Sequence, residues 1–180
     1  MLKKIAVSLI IVSTSIAGPN AFGASHSKSL STLGANDIMF AQGMIPHHQQ
    51  AIDISIIALK QSTNKDVKSL ANQIIKEQKS EIAQMKYWLK VKNAPMSMGH
   101  DMGMSGMLSE RQVAELAKLK GQKFDVAFLN DMIAHHQGAL EMTTWLSGSK
   151  NSEAKKLAKS IRSAQSTEIS RMEKLLSSIK

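Results

Sequence analysis

The stretch Asp37-Ile-Met-Phe-Ala-Gln-Gly-Met-Ile-Pro-His-His-Gln-Gln-Ala51 decides the fold, because the chain contains it twice. The second copy reads Asp125-Val-Ala-Phe-Leu-Asn-Asp-Met-Ile-Ala-His-His-Gln-Gly-Ala139. Asp, Phe, Met-Ile, His-His-Gln and Ala recur at identical spacing. The correspondence continues downstream, one residue closer in the second copy. Leu70-Ala71, Ile74, Gln78, Glu81-Ile82 and Met85 answer to Leu157-Ala158, Ile161, Gln165, Glu168-Ile169 and Met172. Two registered matches of this length mean a repeated supersecondary unit.

Each unit reads as a pair of helices. The first runs from about Asn36 to Gln61, and Ser62-Thr63-Asn64 stops it and offers Asn64 as the next N-cap. Val67, Leu70, Ala71, Ile74, Ile75, Ile82, Met85 and Leu89 then recur at spacings of three and four, an amphipathic helix that ends near Asn93-Ala94-Pro95. In the second unit Ser109-Glu-Arg-Gln112 is a capping-box start for a short helix to Leu119, which Gly121 breaks. A long helix follows from about Phe124 to Leu146, a turn at Ser147-Gly148-Ser149, and a last helix over roughly Glu153 to Ile179. Strand signals are absent. The expectation is an all-α protein, a four-helix up-down bundle built from two repeated helical hairpins. Pro46 stands where the second copy has Ala134, so a local kink is expected beside His47.

The ends and the composition bound what such a bundle does. Lys3 and Lys4, an apolar run from Ile5 to Ala17, and small residues at Ala21-Phe22-Gly23-Ala24 read as a secretory signal peptide over residues 1–24. A flexible segment, 25–35, and a bundle domain, 36–180, would follow. The apolar run is too short to span a bilayer comfortably. No second run exists, so no membrane span is expected after leader removal, and the periplasm is the expected location. The formal charge is +9, but the lysines are spread singly along helical stretches with no aromatic interleaving. That is a solvated helix surface and not a nucleic-acid footprint. With no cysteine among 180 residues, thiolate sites and thiol catalysis are excluded.

Metal chemistry must then use His, Met, Asp or Glu. Four of the six histidines form the pairs His47-His48 and His135-His136, at equivalent positions of the repeat. Adjacent helical residues point about 100° apart, so a lone pair rarely serves one site. In a pseudo-symmetric bundle, however, equivalent members of two pairs converge. Met44 and Met132 precede the pairs by one helical turn and share a face with them. No Glu stands three residues before either pair, which argues against di-iron oxygen chemistry. Gln78, Glu81 and Met85, with Gln165, Glu168 and Met172, share a helix face. They read either as a polar edge with a core methionine or as groups that orient the imidazoles. Tyr87, Trp88 and Trp145 read as core or rim.

Between the repeats, the linker 95–108 carries Met96, Met98, His100, Met102, Met104 and Met107 among glycines and serines. Thioether and imidazole donors together select copper, Cu(I) first. Signal cleavage after Gly23 would start the mature chain Ala24-Ser25-His26, whose amine, amides and imidazole suit square-planar Cu(II), whereas the competing cut after Ala24 would leave Ser25-His26, which lacks one of the two amides. The bundle histidines are expected to hold copper in a defined geometry and the linker to hold it loosely. Deleting Met96–Met107 is expected to spare the fold.

The two copies of Met-Ile-x-His-His-Gln-x-Ala, Met44–Ala51 and Met132–Ala139, resemble the signature of the bacterial family known as domain of unknown function three hundred and five. The resemblance covers about Asn36 to Ile179. It implies a ferritin-like helical fold and, for exported members with a Met-rich segment, periplasmic copper binding and copper tolerance. It also implies His47, His48, His135, His136, Met44 and Met132 as the ligand set. The first copy departs by carrying Gln50 where the second has Gly138. The expected function is non-enzymatic copper buffering, tolerance or delivery, with a copper transporter or another periplasmic copper protein as partner. The alternative is a metal-dependent oxidoreductase on the same bundle.

Overall fold

The computed structural model describes residues 30–98 and 103–179. Among these, the elements are helices α1 (Ala35–Gln61), α2 (Lys65–Val91), α3 (Glu110–Lys118), α4 (Gly121–Met142) and α5 (Ser152–Ser178), with a 3₁₀ turn over Thr143–Leu146 and no strand. The signal segment, His26, His100 and Met102 lie outside the described residues.

Local chemistry explains each boundary. The Asp37 carboxylate accepts the Gly34 N–H at 2.8 Å, which holds the first turn of α1. Asn64 Oδ1 accepts from the amides of Asp66 and Val67, and its repeat partner Asn151 accepts from Ala154. Both hairpins therefore begin their second helix on the same asparagine cap. Ser109 and Gln112 form the expected capping box on α3. Gly121, at φ +55°, opens α4 in the left-handed region that glycine adopts without steric cost. α1 passes through Pro46 as one continuous helix.

The core divides into two apolar halves. One holds Phe40, Met44, Met85, Trp88, Met142 and Leu157, and the other Ile54, Leu70, Phe124, Phe128, Met132 and Met172. The first half joins the N-terminal parts of α1 and α5 to the C-terminal parts of α2 and α4. Each hairpin is thus antiparallel, and α1 runs antiparallel to α4 across a pseudo-twofold axis. α2 ends at one end of the bundle, and α4 starts at the other. The connection must cross the whole length, as ferritin-like bundles require of one connection.

That crossover follows α1 and is fastened to it. Gln42 Nε2 donates to the Pro95 carbonyl at 2.9 Å and Gln61 Nε2 to the Ala117 carbonyl at 2.8 Å. Between them Gln50 grips the Leu108 backbone twice, accepting its N–H and donating to its C=O, both at 2.7 Å. Two segments outside the long helices pack against the core. Leu30 and Leu33, in the stretch expected to be flexible, are buried in the first core half. In the linker, Leu108 is buried and Met104 packs on the core.

Candidate metal centre

Between the two apolar halves lies a polar belt made by the repeated motif. Helical pitch sends the members of each pair in different directions. His47 on α1 and His135 on α4 meet across the pseudo-twofold, ring centroids 3.9 Å apart and tilted by 44°. His48 and His136 turn instead to the second helix of their own hairpins. His48 Nε2 is 2.8 Å from Glu81 Oε2, and His136 Nε2 is 2.8 Å from Glu168 Oε2. All four imidazoles are fully buried. Glu81 and Glu168 therefore orient imidazoles, while Met85 and Met172 are core methionines, so each of the two readings of the set holds for part of it. Nearby Glu77 is raised above the usual carboxylate range, by burial first and then by the charges of Glu168 and Glu81.

Electrostatics keep the central pair neutral. Burial, followed by repulsion from His48, lowers the His47 pKa to about 4. Burial, followed by His47 and then His136, holds His135 well below its ordinary value. Imidazole ligates a metal in its neutral form, so no proton has to leave at neutral pH. His47 Nε2 lies 3.2 Å from the Ser105 carbonyl, which makes that nitrogen the N–H donor and leaves Nδ1 with the lone pair. His47 Nδ1 and both ring nitrogens of His135 are buried without a hydrogen-bond partner. So are the amides of Gln78 and Gln165 in the same belt. Each such group costs about 1–3 kcal/mol when buried unpaired.

Ser105 reaches His47 because the crossover lies in a notch over α4. A Cβ on Gly138 would stand 1.8 Å from the Ser105 carbonyl oxygen. Gly106, at φ +81°, fits against the Ala134 carbonyl, where a Cβ would stand 2.3 Å away. The departure between the repeat copies at positions 50 and 138 has its explanation here: Gln50 holds the strap on one side, and Gly138 admits it on the other. Ser105, Gln50 and Gly138 were not expected at the site. The unequal pair 50/138 was the only signal for them.

The remaining expected donors are distributed unevenly. Met44 and Met132 are fully buried, one in each apolar half, on opposite sides of the belt. Met98, Met104 and Met107 line an open groove of about 550 Å³ beside Pro46. Met96 is exposed. Among the described residues, no three His, Asp or Glu side chains gather at metal-holding geometry. No histidine-carboxylate cluster is formed by them, and the central pair of imidazoles remains.

Comparison with known proteins identifies the family. No curated protein matches the sequence significantly. Solved structures do match. A DUF305 protein of Streptomyces coelicolor, inferred to be secreted, is 29% identical with a TM-score of 0.76, covering 80% of this chain and 93% of that one. A DUF305 fragment from Deinococcus radiodurans is 34% identical with a TM-score of 0.75, covering 80% and 97%. CopM in its Cu(II)-bound form is 32% identical with a TM-score of 0.70, again covering 80% and 97%, and CopM was also solved with Cu(I) and with Ag. The family model for the domain of unknown function DUF305 matches residues 37–176, which takes in both histidine pairs, both carboxylates and the strap, and the chain belongs to that family.

Proposed function

We propose that this protein is an exported copper-binding protein of the periplasm, which buffers copper, confers tolerance to it or delivers it, and is not an enzyme. The observation that carries the reading is the central pair. His47 and His135 touch in a buried belt, are held neutral, and have three of their four ring nitrogens unpartnered. A bound cation relieves that deficit. Zinc favours a closed set with carboxylate or thiolate; copper accepts imidazole with thioether, and Cu(I) needs few ligands. The copper-bound forms of CopM support the same cation. In this reading the linker methionines supply soft donors at the surface, and a copper transporter or another periplasmic copper protein exchanges the ion.

The test is competition against a Cu(I) chelator of graded strength. The protein should retain copper against a weak chelator, and His47→Ala with His135→Ala should lose the tightest site while keeping its helical circular dichroism. If the unaltered protein yields all its copper to the weak chelator, the proposal fails.

A further inference from the structure

Met39 is a methionine that the repeat does not require. Its counterpart in the second copy is Ala127, so the bundle tolerates a methyl group there. It is also a methionine that the core does not use, being 36% exposed near the start of α1. A large thioether in water leaves apolar surface unburied and open to oxidation. What distinguishes its place from that of Ala127 is the crossover. Met39, Gln42, Pro95 and Met98 line one groove of about 390 Å³. Met98 and Gln42 also line the neighbouring groove with Met104 and Met107. The two grooves are therefore continuous along α1. The Gln42–Pro95 hydrogen bond fixes the crossover against the helix where they join. Met96, 51% exposed, stands next to Pro95 at the outer end.

We propose that Met39 and Met98 form a surface site for a soft monovalent cation, Cu(I), at the outer end of a sulfur-lined track that leads past Met104 and Met107 to the strap over His47. The inference rests on the copper reading above and adds a ligand outside the repeated motif. Thioethers stay uncharged at every pH and select Cu(I) over hard cations. The Gln42–Pro95 hydrogen bond fixes the crossover three residues before Met98, which lines both grooves beside α1.

Ag(I), which shares the softness of Cu(I) without its redox chemistry, is the probe. The full mature chain carrying ¹³C-methyl methionine is titrated with Ag(I), and the Met39 signal is assigned from Met39→Leu. Leucine keeps the volume and exposure, so the fold should be unchanged by circular dichroism. Met39 and Met98 methyls should shift together, and Met39→Leu should weaken Ag(I) binding at Met98 by at least about tenfold, the scale on which even indirect ligand partners matter. If Met104, Met107 or the histidines respond while Met39 stays still, the surface site is overturned and the copper reading stands. If no methionine and no histidine responds, both fall.

Discussion

Each histidine of the belt is set by one neighbour. His136 and Glu168 are both fully enclosed, whereas the Glu81 side chain keeps 13% of its exposure. Removing a carboxylate strands its imidazole in a dry interior. Glu168→Ala should therefore cost about 1–3 kcal/mol, and Glu81→Ala less, because water can reach His48 through the gap. Urea denaturation of the two variants checks the order. The central pair gives a pH signature. His47 is held near pH 4 in the fold and titrates near 6.5 when unfolded, so between those values the unfolded chain binds the extra proton. Stability of the metal-free protein should be level above pH 6.5 and fall as pH drops toward 4, by on the order of 3 kcal/mol from His47 alone. His135 adds to the fall in the same direction. His47→Phe should flatten the profile in a series of denaturation curves. The doubled His-His-Gln made these residues legible in the sequence. Their division of labour was not legible, because which imidazole meets its counterpart depends on how α1 and α4 cross.

At the level of elements, two helix starts followed from caps visible in the sequence, Asn64 and Ser109, whereas the cap at Asn151 emerged only with the structure. The crossover was harder to read. Met104, Ser105 and Gly106 carry no periodicity, and their order comes from Gln50 and Gly138, which lie far away in sequence. Gln50→Ala removes two backbone hydrogen bonds and should free the strap. Hydrogen exchange at the Leu108 amide should accelerate by about five- to thirtyfold, for a loss of about 1–2 kcal/mol. Gly138→Ala puts a methyl group into the Ser105 carbonyl and should expose 103–108 to proteolysis even with Gln50 intact. The expectation that Met96–Met107 could be deleted without harm is withdrawn on geometric grounds. Pro95 is fastened opposite Gln42 and Leu108 opposite Gln50, about 12 Å apart along the helix at 1.5 Å per residue. One peptide link spans 3.8 Å. Methionine-to-leucine replacement is the change that removes the sulfur and leaves the crossover in place.

For the whole molecule, a buried polar belt between two apolar halves sets stability against occupancy. The apo belt leaves imidazoles and amides unpaired, and a cation that binds only the folded state stabilises it by mass action, about 3 kcal/mol at a hundredfold excess over Kd. In a chain of this size that corresponds to a rise of about 5–10 °C in melting temperature. Calorimetry with and without Cu(I) should show the rise, and the double variant His47→Ala, His135→Ala should show little of it. Among the described residues no helix is long and apolar enough to cross a membrane. The all-helical architecture was readable from the repeat itself, since a duplicated amphipathic hairpin has few ways to bury its stripes. The direction of the second hairpin was not, because it depends on where a glycine- and methionine-rich connection comes to rest.

The mismatch at positions 50 and 138 also bears on symmetry. A Cβ at 138 would meet the Ser105 carbonyl, so glutamine at both places would close the notch, and glycine at both would leave Leu108 ungripped. A strap lying across one side of a pseudo-twofold thus requires unlike residues at equivalent positions of the repeat. The two hairpins are for that reason not interchangeable, however alike their histidine motifs.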